Sequence, residues 1–258
     1  MLSIDNLVCR IGERTIVDGI SISFAPGRLH VIVGPNGSGK STFLKAFSGE
    51  WTPAAGHVTY DGIGLDRLER IDLARRRAVM TQLPELHFPL SVDEIVMMGR
   101  YPHFSFRPTA HDQAICQAVK GLLSIDGLGD RDYLTLSGGE RQRVQFARAL
   151  AQIWEAPSDG GRYLFLDEPV SSLDIHYQHQ FLRLARSLVK ENIVLIAVLH
   201  DLNLALQYAD RIVFMKQGRI VAEGTPDIVT GGLIREVFDI EARLLDDRES
   251  GRSVIVFV

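Results

Sequence analysis

A glycine-rich run that directly follows a short apolar segment is the feature that most constrains the fold of this chain. The segment His30–Val33 has the composition of a buried strand, and a helical pattern follows the run. Glycines let backbone N–H groups point inward around an anion, and the start of the following helix adds its positive end. The sequence therefore predicts a phosphate-binding loop between a strand and a helix, formed by Gly34, Pro35, Asn36, Gly37, Ser38, Gly39, Lys40, Ser41 and Thr42.

Two side chains at the end of this loop have the chemistry that a bound nucleoside triphosphate requires. The ammonium group of Lys40 is a point charge suited to the β- and γ-phosphates. The hydroxyl oxygen of Ser41 is a ligand suited to Mg²⁺. We therefore expect the loop to bind ATP together with Mg²⁺.

Short apolar runs and helical patterns together indicate an α/β fold. The runs Leu29–Val33, Tyr163–Leu166 and Ile193–Leu199 are typical of buried parallel strands. Lys40–Ser48 and Glu140–Trp154 have the spacing of helices. Ligands of such sheets bind at the carboxyl ends of the strands, where each of these runs meets polar residues or glycine.

The two ends of the chain indicate antiparallel strands. Residues 1–28 contain alternating stretches, of which Ser21–Phe24 is the clearest. Further strands are predicted at Arg211–Lys216, Arg219–Glu223 and Ser253–Val258, with Gln217 and Gly218 as a tight hairpin turn between the first two.

The middle of the chain, at about 85–150, is mostly helical in pattern and is interrupted by prolines. We expect a single domain in which a helical subdomain, about 85–154, is inserted into an α/β core formed by about 1–84 and 155–258.

Two carboxylates follow the second apolar run directly. Asp167 has the position to hold Mg²⁺, usually through water, and Glu168 lies one residue further out, where it can polarise an attacking water as a general base. Without other evidence, a helix cap or a solvated pair before Pro169 explains these two residues equally well.

A second helix start with glycines lies at Leu136–Glu140. Ser137, with Glu140 three residues later, has the spacing of a capping box. The same helix end, with Gly138 and Gly139, is also suited to an anion. A chain with one nucleotide needs only one such site, so the second is expected to close over a nucleotide held by another copy.

Composition limits the possible partners. The formal net charge of −4 argues against a large nucleic-acid footprint, which needs a basic face. Cys9 and Cys116 lie far apart, so two buried, reduced thiols are expected. The longest clean apolar run, Ile193–Leu199, is far shorter than the roughly 20 residues of a membrane helix. Charges near the N-terminus argue against a signal peptide, so a membrane role requires a partner.

Taken together, these motifs resemble the ATP-binding subunits of ABC transporters, in order and over nearly the whole chain. This resemblance implies a P-loop NTPase fold of the ABC ATPase type. The matches are Gly34–Thr42 to Walker A, Gln82 after the strand-like Ala78–Thr81 to the Q-loop, Leu136–Glu140 to the signature, Tyr163–Glu168 to Walker B, Ser171–Asp174 to the D-loop and His200 to the switch histidine.

The resemblance also implies a homodimer in which two ATP molecules lie between head-to-tail subunits. Each ATP would meet the phosphate loop of one copy and Ser137, Gly138 and Gly139 of the other. Gln82 would contact Mg²⁺ and the attacking water, and His200 would hold the γ-phosphate. Asp174 would contact the opposite subunit.

One stretch departs from the family pattern. Members usually place an aromatic residue near the N-terminus to stack on adenine, whereas this chain offers Ile11 and Arg10. Adenine is therefore expected to rest on the apolar side chain of Ile11 and on the plane of an arginine.

The resemblance further implies partners and a location. Two integral-membrane permease subunits are expected, with a periplasmic substrate-binding protein acting indirectly, at the cytoplasmic face of a bacterial inner membrane. Phe88–Val92 and Gly99–His103 resemble the importer branch for iron siderophores, haem and vitamin B12. Ile153–Arg162 resembles the haem importer subunits, so haem is the expected substrate, with siderophores or vitamin B12 as alternatives.

Two other functions require features that this sequence lacks. A soluble ABC ATPase acting on nucleic acid or ribosomes would have two fused ATPase units or a long coiled-coil insertion, and a GTPase switch would have an Asn-Lys-x-Asp motif; the sequence has none of these. The eight histidines are scattered, which argues against a haem-ligand site. The run Arg75–Arg77 is expected to be a solvated face and not a nucleic-acid patch.

Overall fold

The structure is a computed structural model that describes residues 1–81, 89–171, 173–189, 192–247 and 252–258. Strands and helices alternate through much of the described chain. The strands are β1 (Leu2–Ile11), β2 (Arg14–Phe24), β3 (Arg28–Val33), β4 (Ala55–Tyr60), β5 (Ile63–Gly64), β6 (Arg77–Met80), β7 (Arg162–Asp167), β8 (Ile193–Val198), β9 (Arg211–Lys216), β10 (Arg219–Gly224), β11 (Ala242–Asp247) and β12 (Arg252–Phe257). The α-helices are α1 (Lys40–Phe47), α2 (Arg70–Arg76), α3 (Val92–Met98), α4 (Ala110–Leu122), α5 (Gly138–Gln152), α6 (Ile175–Val189), α7 (Leu202–Tyr208) and α8 (Gly231–Phe238).

The chain forms two compact units. The first unit consists of Met1–Arg67 and Leu182–Val258, and the second consists of Leu68–Phe181. The subdomain bounds given above, about 1–84 with 155–258 and about 85–154, stay a prediction.

In the first unit, β3 is the centre of a parallel arrangement. It pairs in parallel with β8 on one side and with β9 on the other. All six residues of β8 are buried, as are five of the six in β3, because both faces of these strands are covered. β9 continues into β10 through Gln217 and Gly218, which both have positive φ, at 50° and 78°. This is the primed turn that a two-residue hairpin favours, so the predicted turn is confirmed.

The first unit also contains antiparallel strands. β1 pairs with β2 and with β4, and β4 pairs with β5. Along β2, Ile22 and Phe24 are buried whereas Ser21 and Ser23 are exposed. This alternation confirms the antiparallel N-terminal part that the sequence predicts. A separate hairpin, β11 with β12, follows near the C-terminus.

In the second unit, β6 and β7 form a parallel pair, and helices make up most of the remainder. The signature-type helix α5 begins at Gly138, two residues before the predicted Glu140, because its capping box starts at Ser137. None of the helices in the described ranges has both the length and the apolar character needed to cross a bilayer. The two cysteines are free and buried, and burial raises the pKa of each thiol to about 11.

Arg100 is a large, fully buried side chain of the second unit, and three oxygen atoms from different elements accept hydrogen bonds from it. Its Nε donates to Oδ1 of Asp112 at 3.0 Å and its Nη1 to the carbonyl of Ala151 at 2.9 Å. Its Nη2 donates to Oε2 of Glu155 at 3.0 Å. The guanidinium therefore joins the start of α4 to the end of α5, and its charge is fully compensated by hydrogen-bonded partners.

Asp112 is the buried carboxylate of this group. Burial alone would raise the pKa of Asp112, but hydrogen bonds from Thr109 and Arg100 outweigh it and hold the pKa at about 2, below the ordinary 3.8. A lowered pKa in the folded state stabilises the fold above the ordinary pKa. The contribution of Asp112 to stability is therefore complete above about pH 4 and is lost as the pH falls toward 2.

Replacing Arg100 by methionine is expected to lower the free energy of unfolding by about 3–5 kcal/mol, because it leaves the carboxylate of Asp112 buried without its cation. Urea unfolding of the variant and of the wild type measures the change. Arg75→Met is the matched control, since Arg75 is exposed and its Nε donates to the carbonyl of Pro102. A loss no larger than that of the control would contradict the structural role of Arg100.

Candidate functional site

The glycine-rich loop follows β3 directly, as the sequence predicts, and it lies tightly against its surroundings in the first unit. A Cβ atom at Gly34 would lie 2.2 Å from the carbonyl oxygen of Met215. A Cβ atom at Gly39, where φ is +96°, would lie 2.7 Å from the carbonyl oxygen of Ile16. Glycine is therefore required at both positions. At Gly34 the reason is close packing, and at Gly39 it is close packing together with the positive φ.

The side chain of Lys40 folds back over the loop. Its Nζ donates to the carbonyl oxygens of Gly34 at 2.9 Å and Pro35 at 3.1 Å, and the residue is 5% exposed. The Oγ atom of Ser38 is buried and has no hydrogen-bond partner among the described residues. A phosphate oxygen bound in the loop would give the Ser38 hydroxyl an acceptor.

The start of α1 differs from the starts of α3, α4 and α5. Ser91, Thr109 and Ser137 cap α3, α4 and α5 through their side chains. At α1 the N-cap is Gly39, which provides no side-chain cap. Gly39 therefore offers no side-chain acceptor to the N–H groups of the first turn, an arrangement that suits an anion at a helix start.

His200 lies at the same edge of the parallel sheet as the loop. β8 is the neighbour of β3, and after β8 the N–H of Leu199 donates to the carbonyl of Ile32 at 3.1 Å. His200 comes next and is exposed. Asp201 then caps α7 by accepting from the N–H groups of Asn203 and Leu204. The structure therefore brings the phosphate loop and His200 together within the first unit.

The two predicted carboxylates lie at the end of β7 in the second unit. Asp167 is its last residue and is 7% exposed. Glu168 is half-buried and has a φ of +52°, the left-handed region that few non-glycine residues adopt. Its carbonyl oxygen accepts from both the N–H and the Oγ of Ser171, at 3.3 and 3.1 Å. Such backbone conformations are found preferentially at functional sites, and this one turns the chain sharply after Glu168.

The signature-type helix start is also in the second unit. The carboxylate of Glu140 accepts from the backbone N–H and the Oγ of Ser137, both at 2.8 Å, and these bonds hold the pKa of Glu140 below its usual value. The predicted capping box is confirmed. Ser137 and Gly138 are nonetheless exposed, so the outer side of this helix start stays accessible.

α5 is joined to the segment after β7 by a residue that the sequence did not single out. The Nε2 of Gln142 donates to the carbonyl of Pro169, the residue directly after Glu168. A Cβ atom at Gly139 would lie 3.6 Å from Cδ2 of Leu173, the neighbour of Asp174. The second unit therefore brings the signature-type helix start, the acidic strand end and Asp174 together. Asp174 is exposed and accepts from the N–H of Tyr177 in α6.

The remaining predicted site residues have different outcomes. Gln82 lies outside the described residues, as do Phe88 and Ser172 of the matched stretches. Ile11 ends β1 and is 52% exposed, so its side chain is accessible to a ligand.

The expectation of a solvated face at Arg75–Arg77 is wrong for its central member. Arg76 is buried, and its Nη2 donates to the carboxylate of Asp159 at 2.6 Å. Asp159 supplies the opposite charge that a buried guanidinium requires.

Comparison with known proteins identifies the family to which this chain is similar. A model of the ABC transporter family matches residues 17–171. The chain is 43% identical over 247 residues to the hemin import ATP-binding protein HmuV of Hahella chejuensis, covering 95% of the chain and 94% of that protein. It is 41% identical over 258 residues to the protein of the same name in Escherichia coli O157:H7, covering 99% of each.

Solved structures agree in fold. A metal-chelate type ABC transporter in an inward-facing conformation matches with a TM-score of 0.84 at 24% identity, covering 100% of this chain and 97% of that one. An ATP-binding cassette of an ABC transporter in its ADP conformation matches with a TM-score of 0.76 at 25% identity, covering 87% of this chain and 91% of that one. The predicted fold class is confirmed.

Proposed function

The chain belongs to the ABC transporter family, and on that basis we propose that it is the ATP-hydrolysing subunit of an importer that carries haem into a bacterial cell. We choose haem as the substrate because the chain is more than 40% identical to hemin import ATP-binding proteins over nearly its full length. The loop at Gly34–Thr42, followed by a helix start without a side-chain cap, carries the choice of ATP.

Phosphate binding rests on groups of the first unit. The N–H groups of the loop and of the α1 start surround the β- and γ-phosphates, and Lys40 turns its ammonium group from the loop carbonyls toward them. The orphaned hydroxyl of Ser38 supports this arrangement. His200, exposed at the end of the neighbouring strand, holds the γ-phosphate.

The matches to Walker A and Walker B support Mg²⁺ as the metal ion. They assign to it the hydroxyl of Ser41 and the carboxylate of Asp167, both hard ligands, and Mg²⁺ usually takes one or two protein oxygens together with phosphates and water. Gln82 supplies a further oxygen by the match to the Q-loop. Mg²⁺, when bound, neutralises charge that develops on the phosphates.

Glu168 polarises the attacking water and accepts its proton during hydrolysis. The sharp backbone turn at Glu168 and the two hydrogen bonds from Ser171 hold that residue in one conformation, which supports a role that depends on orientation. Asp167, more deeply buried, serves the metal instead.

The second half of each site comes from another copy. Ser137, Gly138 and Gly139 of that copy present the exposed start of α5 to the γ-phosphate and stabilise charge in the transition state. Asp174 contacts the opposite subunit in the same dimer. ATP binding closes the dimer, and hydrolysis opens it.

The dimer works with two integral-membrane permease subunits at the cytoplasmic face of the inner membrane, and a periplasmic protein delivers the substrate to them. The alternatives of a ferric siderophore or vitamin B12 use the same energy-coupling steps. The permease contacts the substrate, so transport must be measured with the membrane subunits present.

We expect vesicles reconstituted with this chain and its permease subunits to take up haem in an ATP-dependent manner. Haem uptake should exceed that of ferric siderophores and cobalamin by about tenfold or more, a difference of about 1.4 kcal/mol in recognition. Lys40→Ala, which removes the phosphate-binding charge, is the inactive control. Equal uptake of all three substrates would contradict the choice of haem without affecting the choice of ATP.

A further inference from the structure

The hairpin formed by β11 and β12 is attached to α7 by a side chain that imitates a neighbouring strand. Oδ1 of Asn203 accepts from the N–H of Ile255 at 2.8 Å, and Nδ2 of Asn203 donates to the carbonyl of Ile255 at 3.2 Å. The amide therefore satisfies both backbone groups of one residue, as a strand partner would. Ile255 is 3% exposed, so water competes little for these groups.

Asn203 is fixed at its backbone as well. It lies in the first turn of α7, and its N–H donates to Oδ1 of Asp201 at 2.7 Å. Asp201 is the N-cap of the helix and directly follows His200. The start of α7 is thus held by its own cap and, through the amide of Asn203, by the C-terminal hairpin.

These contacts place His200 between two anchors in the first unit. Upstream, the N–H of Leu199 donates to Ile32 of β3, two residues before the phosphate loop. Downstream, the anchor is the start of α7. α7 has only seven residues, and a helix of that length is not stable alone, so its position depends on tertiary contacts.

We propose that Asn203 is a positioning residue for ATP hydrolysis: by pairing with Ile255, it lets the C-terminal hairpin hold the start of α7 and so keeps His200 in place beside the phosphate loop. This inference rests on the proposed role of His200. It gives the C-terminal hairpin a function in catalysis although the hairpin contributes no group to the nucleotide. Loosening this anchor lowers the turnover number, because His200 then samples several positions, while the loop still binds ATP.

The test compares ATP hydrolysis by the full chain in four forms: wild type, Asn203→Leu, His200→Ala and the double variant. Asn203→Leu removes both hydrogen bonds at similar size. It is expected to lower kcat by about tenfold, or about 1.4 kcal/mol, with the KM for ATP changed less than about twofold. Added to His200→Ala, it is expected to cause no further loss, because Asn203 acts through His200.

Two further variants keep the result interpretable. Asn203→Asp retains the acceptor for the N–H of Ile255 and loses the donor, so intermediate activity is expected; it replaces Asn203→Leu if that variant does not fold. Asp239→Asn removes an exposed ion pair with Lys216 in the same unit without touching α7, and its kcat is expected to match wild type. Hydrogen exchange should show faster opening of 202–208 in Asn203→Leu than in Asp239→Asn.

Each outcome decides the question. A kcat loss of equal size in the presence and absence of His200, or an unchanged kcat with a lower melting temperature, would show that Asn203 only stabilises the fold, and would overturn the inference alone. Normal hydrolysis by His200→Ala would overturn the proposed role of His200 together with the inference.

Discussion

Replacing Glu168 by glutamine is expected to lower steady-state ATP hydrolysis by about 100-fold or more, because the variant loses the group that accepts the proton of the attacking water. Glutamine has nearly the same shape, so the turn at Glu168 and the bonds from Ser171 should persist. ATP binding should persist as well, since the phosphate loop is intact. The variant should therefore accumulate as an ATP-bound dimer, which light scattering detects through its mass.

Glu241→Gln is the matched control for this experiment. It makes the same chemical change at an exposed residue whose partner is Arg235, in an ion pair of the kind that contributes little to stability. It should hydrolyse ATP at the wild-type rate and should not accumulate as a dimer with ATP. Near-normal hydrolysis by Glu168→Gln would contradict the assignment of the general base.

Replacing Ser137 by arginine is expected to abolish ATP hydrolysis while leaving ATP binding to the monomer unchanged. Ser137 is exposed at the start of α5, where the larger side chain would block the approach of a γ-phosphate held by another copy. Binding to the monomer uses the phosphate loop of the same chain, which this change does not alter. Fluorescent-nucleotide binding and phosphate release measure the two effects separately.

Ser91→Arg is the control for the loss of the helix cap in Ser137→Arg. Ser91 forms the same capping box with Glu94 at the start of α3 as Ser137 forms with Glu140. Both variants should lose about 1 kcal/mol of stability from the cap, and only the Ser137 variant should lose hydrolysis. Loss of ATP binding by the Ser137 monomer would contradict a site completed by a second copy.

The features that sequence predicted well are those set by neighbouring residues. The loop at Gly34–Thr42 depends on glycines that allow close approach and on a helix start, both of which are visible in one short segment. The hairpin at Gln217 and Gly218 and the cap at Ser137 are local in the same way. A short continuous apolar run that ends at glycine or polar residues is enough to find the strand before the loop.

The contacts that sequence did not predict join residues far apart in the chain. Arg76 lies 83 residues from its partner Asp159, so no local pattern predicts that Arg76 is buried. Gln142 lies 27 residues from Pro169, and Asn203 lies 52 from Ile255. No periodic pattern marks such pairs, because each depends on packing between separate elements.

The hydrogen-bonded group around Arg100 limits how this part of the sequence can change during evolution. Losing the arginine alone leaves Asp112 buried and charged, whereas exchanging a whole buried ion-pair group for apolar residues is often neutral or stabilising. The intermediate steps are thus less stable than either end, and the effect of each substitution depends on the others. A lineage can therefore leave this arrangement only through an unfavourable intermediate or by coordinated substitutions, so the group tends to be inherited as a block.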